Sequence, residues 1–274
     1  MKLLIQKIVN DLDNHSGEIT LTVRDVGHGN WNEIKYENKR ILFDIGAQKN
    51  YGEDDLLKII RRAKFKNEEE IYIFISHWDV DHYHAILKLS KKELQLIKAV
   101  FGPLNVPRTN TAFRVMNLIS DAGIIYHGIP STKKRYLNKQ IELNLLFYGT
   151  KMKIYRSSKT KSRNLDSVVL LLEGNNSSVL FTGDNNYEKL FNYVVTNSFP
   201  NRPLNLILPH HGGAAGKFKL SSWSTVSLEN IIISYHQDNS YGHPSPENIN
   251  ISQKLLAFKP HVVTNGSGCK CFTI

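Results

Sequence analysis

The sequence predicts an α/β protein of four layers, in which two β-sheets face each other and helices cover both outer faces. Predicted strands alternate with predicted helices in both halves of the 274-residue chain. Most of these strands are apolar throughout, as expected for sheets that pack against a second sheet on one face and helices on the other. No Ser-, Gly- or Pro-rich stretch is long enough to be a flexible linker. We therefore expect a single αββα sandwich domain over residues 1–274.

The first half of the chain contains the strands and helices that should form one sheet and its cover. Apolar runs and alternating patterns predict the strands, and apolar residues at helical spacing predict the helices. Phe113, Met116, Leu118 and Ile119 are expected to form the buried side of the last of these helices. Strands are expected at 18–25, 40–44, 70–75 and 96–101, and helices at 53–63, 82–89 and 109–122.

The second half repeats this alternation without sequence identity to the first. The turn Gly174-Asn175-Asn176 separates two apolar runs and predicts a β-hairpin. Ser245 followed by Pro246 predicts the start of a helix, with the serine as its N-cap. Strands are expected at 141–147, 152–155, 167–173, 178–182, 204–208, 230–234 and 261–264, and a helix at 186–196.

Four side chains that can bind a metal follow the apolar strand at 70–75. They are His77, Asp79, Asp81 and His82. Imidazole and carboxylate ligands together suit Zn²⁺ or Mn²⁺, and groups of this kind disfavour one another unless a cation lies among them. An ordinary polar loop would explain a single Asp-x-Asp, but it explains the full pattern poorly. The sequence therefore predicts a metal centre at the end of this strand.

Three further motifs place polar side chains at predicted strand ends, where loops can converge over one edge of the sandwich. Asp184 follows Gly183 directly after the strand at 178–182, although such a pair alone is more often a turn. His210 and His211 follow the strand at 204–208, and His243 lies in a Tyr-Gly-His-Pro loop. These side chains are candidates for the same centre.

Composition excludes several classes of protein. Two cysteines, Cys269 and Cys271, are too few for a disulfide framework, and we expect them to be reduced thiols in a cytoplasmic protein. No run approaches the roughly 20 apolar residues of a membrane span. The first residues contain neither an extended apolar segment nor a cleavage site. We therefore expect a cytoplasmic location and no membrane partner.

The chain carries a formal net charge of +10 at pH 7. A charge of this sign attracts polyanions, and the segment 151–163 combines cations with hydroxyls and a tyrosine, which suits contacts to phosphate. The alternative is a solvated basic loop whose charge keeps the protein soluble. The residues expected to contact a nucleic-acid backbone are Lys153, Arg156, Lys159, Lys161 and Arg163.

Taken in order, these motifs resemble those of the metallo-β-lactamase superfamily, and more narrowly those of the hydrolase domain of ComEC-like DNA-uptake proteins. The resemblance covers nearly the whole chain and implies the αββα fold with metal-dependent hydrolase activity. It rests on DVGHGN at 25–30, LFDIG at 42–46, SHWDVDH at 76–82, NLDSVVL at 164–170, LFTGD at 180–184, PHHG at 209–212 and YGHP at 241–244.

The resemblance implies two divalent ions, Zn²⁺ or Mn²⁺, bound by the side chains of these motifs. His28 and Asn30 stand where this branch usually carries Gln and Asp. The family pattern gives one ion to His77 and Asp79, the second to Asp81, His82 and His210, and makes Asp184 the bridge between them.

The resemblance also implies supporting positions, and it includes departures from the family pattern. His211 and His243 would line the cleft, and Asp44 would support the metal loop. Asp79 replaces the second histidine of the usual His-x-His-x-Asp-His motif, which favours harder ions such as Mn²⁺. The family's middle histidine ligand has no counterpart, because Ser167 occupies that region. One of the two sites is therefore expected to bind its ion weakly.

The expected function is a metal-dependent phosphodiesterase that hydrolyses nucleic acid, DNA rather than RNA, with an activated water. Asp81 would orient or deprotonate this water, and His243 or His211 would stabilise phosphoryl charge or protonate the leaving oxygen. A small phosphodiester or another metallo-hydrolase substrate stays open, because one fold hosts many reactions. A degenerate subunit of a defence or toxin system that only binds nucleic acid also stays open, because the middle histidine is absent.

Overall fold

The computed structural model describes residues 1–132, 142–158, 160, 162–198, 202–257 and 260–274. The strands within these residues are Thr20–Val23 (β1), Trp31–Tyr36 (β2), Lys39–Ile45 (β3), Glu70–Phe74 (β4), Ile97–Pro103 (β5), Tyr126–Ile129 (β6), Leu143–Tyr148 (β7), Met152–Ser157 (β8), Val168–Glu173 (β9), Ser178–Phe181 (β10), Leu204–Ile207 (β11), Leu228–Ser234 (β12), Val262–Thr264 (β13) and Lys270–Thr273 (β14). The helices are Lys2–Asn14 (α1), Glu53–Ala63 (α2), Lys91–Leu94 (α3), Asn110–Asp121 (α4), Tyr187–Lys189 (α5), Thr196–Ser198 (α6), Leu220–Trp223 (α7) and Pro246–Leu255 (α8), with a π-helical segment, Leu190–Val195, between α5 and α6.

The strands form two seven-stranded sheets. The first has the order β14-β1-β2-β3-β4-β5-β6 and is parallel from β3 to β6. The second has the order β13-β12-β11-β10-β9-β8-β7 and is parallel from β10 to β13. The carboxyl ends of parallel strands lie at one edge of a sheet, so the loops that follow β3, β4, β10 and β11 can meet there.

Alternate residues of the strands pack into different layers. In β4, Tyr72 and Phe74 belong to the core between the sheets, whereas Ile71 and Ile73 pack with residues of α2 and α4 on the outer face. On the second sheet, Leu171 of β9 packs with residues of the π-helical segment and α7. Both faces of each sheet are therefore covered, which confirms the predicted four-layer αββα sandwich.

One predicted helix is absent from the loop that follows β4. Two short 3₁₀ turns, Val80–His82 and His84–Lys88, stand in place of one helix over 82–89. The prediction of one continuous helix was wrong because the backbone of Tyr83, between the two turns, has a φ of −144°, which is outside the helical region.

A second correction concerns the buried face of α4. Phe113 is 65% exposed, so its assignment to the apolar side of this helix was wrong. The residues that pack inward are Ala112, Val115 and Ile119. Their spacing of three and four residues defines a single face, and Phe113 lies one position away from it, about 100° around the helix axis.

Two elements near the ends of the chain were not predicted. Helix α1 places Ile5, Ile8 and Val9 in the core between the sheets, and β14 extends the first sheet by pairing with β1, where Cys271 lies opposite Thr22. Helix α1 has apolar residues at helical spacing, Ile5, Ile8, Val9 and Leu12, so its amphipathic pattern was overlooked. Strand β14 has only four residues and a weak apolar pattern. Among the described residues, no helix is both long enough and apolar enough to cross a membrane.

Candidate metal centre

The candidate centre forms where the loops after several parallel strands meet. β4 leads into the loop that begins with His77, and β10 and β11 lead to Asp184 and His211. Gly46, at the end of β3, lets two loops lie in direct contact, because a Cβ there would come within 1.8 Å of the carbonyl oxygen of Asp81. The polar residues that follow these strands in the sequence therefore lie together in one cluster of side chains.

Three buried side chains, His77, His82 and Asp184, form a first group. One ligand atom from each lies within 4.8 Å of the other two. The Nε2 atoms of His77 and His82 lie 3.5 Å and 3.2 Å from oxygens of Asp184. These nitrogens and Oδ1 of Asp184 are buried and have no hydrogen-bond partner. Buried polar atoms without partners are costly and rare, so a further binding partner is expected among them.

Asp44 determines which nitrogen of each histidine can bind an ion. It accepts hydrogen bonds from the backbone N–H of Ser76 at 2.6 Å, from the Ser76 hydroxyl at 2.8 Å and from Nδ1–H of His82 at 2.7 Å. Because the Ser76 hydroxyl donates its one hydrogen to Asp44, its oxygen accepts from Nδ1–H of His77 at 3.0 Å. Both histidines therefore direct the lone pair of Nε2 toward Asp184, as metal-binding histidines with such support do.

The distances in the first group favour a shared ion over direct hydrogen bonds. Charge-assisted N–H···O bonds are about 2.7–2.9 Å long, whereas the two imidazole nitrogens lie 3.2 and 3.5 Å from Asp184. Two ligands about 2.1 Å from one tetrahedral ion are about 3.4 Å apart. The group therefore has the donor atoms, the spacing and the supporting hydrogen bonds that suit a divalent ion such as Zn²⁺ or Mn²⁺.

His28, Asp81 and His211 form a second group, whose ligand atoms also lie within 4.8 Å of one another. His211 donates from Nδ1 to the carbonyl oxygen of Ser234 at 2.7 Å, so the lone pair of its Nε2 faces Oδ2 of Asp81 at 3.3 Å. The same oxygen of Asp81 lies 3.9 Å from Nε2 of His82. The two groups are therefore neighbours, and the side chains present fit two adjacent cations.

Asp79 lies at the edge of the first group and is only half-buried. Its Oδ2 is 3.5 Å from Nε2 of His77, and its Oδ1 is 3.0 Å from Nη1 of Arg163. Arg163 also donates to the carbonyl oxygen of Trp78 at 3.2 Å. The structure thus brings a predicted ligand and a predicted phosphate contact into one ion pair beside the cluster.

His210 differs in placement from the other predicted ligands. Its Nδ1 lies 2.8 Å from Oδ2 of Asp184, which is a hydrogen-bond distance, and 3.0 Å from Nδ2 of Asn164. Neither of the two close groups found among the described residues includes it. His211, which was expected to line the cleft, lies beside Asp81 in the second group.

The backbone around His210 and His211 explains why adjacent histidines point in different directions. Both residues have a φ of 53°, in the left-handed region, which costs an L-residue roughly 1–2 kcal/mol. Asp44 also has a positive φ, of 62°. Unfavourable backbone of this kind is concentrated at functional sites, where the surrounding structure holds it in place.

Electrostatics in the first group match cation binding. Burial alone would lower the pKa of His82, but the carboxylates of Asp184, Asp44 and Asp81 raise it well above its usual value. Burial alone would raise the pKa of Asp184, but His82 and His77 lower it well below its usual value. The carboxylates therefore favour a positive species at Nε2 of His82, and a cation bound there would take the place of a proton.

Two other histidines of the cleft are neutral. Burial, followed by the charge of His211, lowers the pKa of His28 to about 3. Burial, followed by the charges of His210 and His211, lowers the pKa of His243 to about 4. A neutral His243 can donate an N–H hydrogen bond, but it holds no additional proton for a leaving group at pH 7.

An open cleft lies over both groups. Its cavity of about 250 Å³ adjoins one of about 410 Å³, because His28, Lys49, Asp81 and Tyr241 line both. A third cavity of about 160 Å³ shares Arg163 with the cleft. The candidate centre therefore lies at an open cleft with further cavities next to it.

The structure corrects the expectation that segment 151–163 is a basic loop that contacts nucleic acid. Its first half is strand β8, in which Arg156 is 1% exposed and pairs with Asp166 at 2.9 Å. The ammonium of Lys153 pairs with Glu173 at 2.5 Å. Neither cation lines the cleft, because each is held by a carboxylate of its own neighbourhood. Lys159 and Lys161 lie outside the described residues.

Sequence reasoning missed several residues of the site. His28, Lys49 and Tyr241 line the cleft; His28 and Tyr241 belong to motifs seen in the sequence but were given no role, and Lys49 carried no signal. Ser167, which occupies the region of the family's middle histidine, is buried and donates from its hydroxyl to the carbonyl oxygen of Asn164. Its side chain is therefore engaged in the turn before β9.

Comparison with known proteins identifies the fold. No family model matches the sequence, and no curated protein matches it significantly. Among solved structures, 94% of this chain aligns with 100% of the metallo-β-lactamase fold protein YhfI from Bacillus subtilis, with a TM-score of 0.51 and 12% identity. The short form of human tRNase Z aligns over 89% of this chain and 92% of its own, with a TM-score of 0.46 and 14% identity.

The two sheets, their helical cover and the alignment with YhfI define the class: the chain has the metallo-β-lactamase fold. Within that class, it is a chain with two adjacent groups of His and Asp side chains that fit metal ions. At 12% identity the likeness shows the fold alone, and a fold hosts many reactions. The activity therefore has to be inferred from the site.

Proposed function

We propose that this protein is a metal-dependent phosphodiesterase that cleaves nucleic acid. The observation that carries the proposal is the pair of buried imidazole nitrogens that face oxygens of Asp184 at 3.2 and 3.5 Å below an open cleft. Adjacent divalent ions in such a site act on phosphodiesters by stabilising both the attacking and the leaving oxygen. The resemblance of the motifs to ComEC-like hydrolases supports the same reaction and favours DNA as the polymer.

In the proposed reaction, a water oxygen forms a bond to phosphorus and gives up a proton to solvent, while the bond from phosphorus to the leaving oxygen breaks and the leaving oxygen takes up a proton from solvent. Divalent cations, when bound, activate the water at neutral pH and neutralise charge on the phosphate. Burial alone would raise the pKa of Asp81, but His82 and His211 lower it below its usual value. Asp81 is therefore a permanent carboxylate, which accepts a hydrogen bond from the water and orients it.

Two side chains of the cleft are proposed to bind the phosphate. His243 and Arg163 both line the cavity over the metal centre. His243 offers a neutral N–H, and the side chain of Arg163 is 57% exposed although it pairs with Asp79. A guanidinium can bind two phosphate oxygens at once. His211 is a less suitable proton donor than was expected, because its Nδ1–H bonds to Ser234 and its Nε2 faces Asp81.

The cleft supports a polymer as the substrate, because further cavities adjoin it at Tyr241 and at Arg163. On one side, Lys49 is exposed and can meet a flanking phosphate, and the ring of Tyr241 stacks on His28 at 4.9 Å while remaining 58% exposed. Exposed aromatic rings beside a cationic groove bind nucleobases by stacking. The net charge of +10 favours approach of a polyanion.

One observation favours a second candidate, a phosphodiesterase that acts on small molecules. Two of the basic residues expected to contact a nucleic-acid backbone, Lys153 and Arg156, are engaged in internal ion pairs. Fewer cations are then available along the groove. A small phosphodiester would need only the metal centre and the side chains next to it.

The reaction is tested with purified protein supplied in turn with Mn²⁺, Zn²⁺ and Mg²⁺. Hydrolysis of bis(p-nitrophenyl) phosphate and of single- and double-stranded DNA and RNA would be measured for the wild type, Asp81→Asn and Asp121→Asn. Asp121 is an exposed carboxylate at the end of α4 and is the matched control. We expect metal-dependent cleavage that Asp81→Asn abolishes and Asp121→Asn preserves. No hydrolysis of any of these substrates with any of the metals would contradict the proposal.

The salt dependence of binding distinguishes the polymer from the small substrate. For nucleic acid, each phosphate contact contributes about one unit to the slope of log affinity against log salt. Arg163→Ala and Lys49→Ala should each lower that slope, and Lys153→Ala should not. If all three variants bind DNA like the wild type while small phosphodiesters are cleaved, the small-molecule candidate takes first place.

A further inference from the structure

We infer that His28 is a metal ligand, and that a second cation binds between His28, Asp81 and His211. The inference deepens the proposed function and rests on its metal centre. The pattern that the motifs resemble has Gln at this position, so no resemblance assigns the histidine a role. The ligand is a divalent transition metal, because two imidazoles with one carboxylate suit Zn²⁺ or Mn²⁺ better than Mg²⁺ or Ca²⁺.

The position of the His28 ring is the first observation. One ligand atom each from His28, Asp81 and His211 lies within 4.8 Å of the other two. The ring centroids of His28 and His211 are 4.1 Å apart. Two imidazoles and a carboxylate at this spacing can share one ion, as in metal sites with two histidines and one carboxylate.

The burial of His28 is a second and independent observation. The residue is only 6% exposed, and its Nδ1 is buried without a hydrogen-bond partner. Stacking against Tyr241 at 4.9 Å would explain why an aromatic ring lies here, but stacking leaves a buried polar nitrogen unpaired. A residue retained only for stacking would avoid that cost as phenylalanine or tyrosine.

Hydrogen bonds link the His28 loop to the strand end that orients His211. The hydroxyl of Ser234 donates to the carbonyl oxygen of Gly29 at 2.9 Å, and the carbonyl oxygen of Ser234 accepts from Nδ1–H of His211 at 2.7 Å. The backbone N–H of His28 also donates to Oε1 of Gln48 at 3.3 Å. One residue at the end of β12 therefore positions both imidazoles, and such support of ligands raises metal affinity.

This ligand set also accounts for a departure from the family pattern. The middle histidine that would complete the first site is absent, and Ser167 in its region is engaged in a turn. His28 adds an imidazole on the other side of the cluster, next to Asp81. The number of imidazole ligands in the whole centre therefore stays the same, but one of them lies at the second cation and not at the first.

The test counts bound metal and does not depend on turnover. Full-length wild type, His28→Gln, His28→Asp and His127→Gln would be titrated with Zn²⁺ and Mn²⁺, with elemental analysis after dialysis and Co²⁺ absorption spectra as readouts. His127 stacks on Phe101 away from both groups and is the imidazole control. Circular dichroism would show that each variant folds, and His28→Asp tests whether a shorter, anionic ligand restores part of the site.

We expect the wild type and His127→Gln to bind two ions. His28→Gln should bind the first normally and the second at least about tenfold more weakly, since even residues that only support ligands contribute 10–100-fold. His28→Asp should recover part of that loss and change the Co²⁺ spectrum. Two ions bound normally by folded His28→Gln would overturn the inference while leaving the proposed function intact. Two ions without any phosphodiester cleavage would leave the inference intact and remove the proposed function.

Discussion

Two buried clusters of charged groups in this molecule differ in how their charges are balanced. One lies at the end of α2 and joins Arg24, Arg40, Glu33 and Glu69; the other is the group of His77, His82 and Asp184. In the first, Glu33 accepts from Arg24 at 2.8 and 2.7 Å, and Arg40 lies 2.7 Å from Glu69. In the second, the corresponding distances are 3.2 and 3.5 Å, and both imidazole nitrogens and Oδ1 of Asp184 are buried without a hydrogen-bond partner.

The difference shows how a cation site can be recognised in a structure that contains no ion. Guanidinium groups bring their own protons and close the distance to a carboxylate. The histidines of the second cluster have their Nδ1 protons committed to Ser76 and Asp44, so nitrogen lone pairs face carboxylate oxygens. Both are acceptors, and only a positive species between them resolves the conflict. The first cluster stabilises the fold, and the second has the features of a cation site.

The largest expected effect comes from removing the shared carboxylate of the second cluster. Asp184→Asn keeps the shape of the side chain but loses the charge that faces His77 and His82. We expect hydrolysis to fall by about a thousandfold or more, because cation binding and the charge stabilisation that depends on it are lost together. Steady-state kinetics and elemental analysis measure both. If the Asp184→Asn variant retains its metal and its turnover, the cluster is not the active centre.

The second prediction concerns the first cluster, in which Glu33 is the carboxylate shared by Arg24 and Arg40. Glu33→Gln leaves two buried guanidiniums without their shared carboxylate, and breaking such a pair destabilises a protein by about 3–5 kcal/mol. Metal content should not change, since Glu33 is not near the ligands. Urea unfolding measures the loss in free energy of unfolding. Lys58→Ala, which removes an exposed pair with Asp55, is the control and should cost no more than about 0.5 kcal/mol.

A smaller effect is expected from the residue that supports the histidines. Asp44→Asn should weaken metal binding about 10–100-fold, the usual effect of changing a group that orients a ligand. Asparagine tolerates the positive φ of 62° at this position, so the backbone should persist. Isothermal titration with Zn²⁺ measures the affinity. Unchanged affinity in a folded variant would mean that Asp44 stabilises the sheet and does not orient the ligands.

The smallest expected effect is the pH dependence of metal affinity at the second cluster. Carboxylates raise the pKa of His82 in the metal-free chain, so its proton stabilises the fold below the unfolded value of about 6.5 and this contribution is lost as pH rises through the raised value. A cation at Nε2 must displace that proton. Metal affinity should therefore fall as pH falls, and Zn²⁺ should release protons in weakly buffered solution. Proton uptake or no exchange would contradict the ligand role of His82.

The sequence alone was sufficient to predict the layers and to single out most residues of the candidate metal centre. A continuous apolar run such as β4 indicates a strand that is buried on both faces. The polar residues that follow it then lie at one known end of that strand. His77, His82 and Asp184 were therefore predictable from local pattern. The roles of His210 and His211 were not, because the direction of each ring depends on two left-handed backbone conformations that the pattern His-His does not reveal.

The basic segment 151–163 shows where prediction from the sequence fails. Lys153 and Arg156 look like phosphate contacts in a stretch rich in cations, but their partners Glu173 and Asp166 are brought to them by strand pairing and a turn. Charge in a sequence does not say which side of a strand is buried. Arg163, in the turn after the strand, reaches the cleft, whereas Lys153 and Arg156, the other described members of the set, do not line it.

The most direct test of the central claim is to locate the ions. Crystals grown with Mn²⁺ would be measured at a wavelength that gives an anomalous signal from the metal. We predict one peak about 2.0–2.3 Å from Nε2 of His77, Nε2 of His82 and an oxygen of Asp184, and a second between Asp81 and His211. An absence of both peaks, with the imidazoles hydrogen-bonded directly to the carboxylates at about 2.7–2.9 Å, would show that protons balance this cluster and that it is not a metal centre.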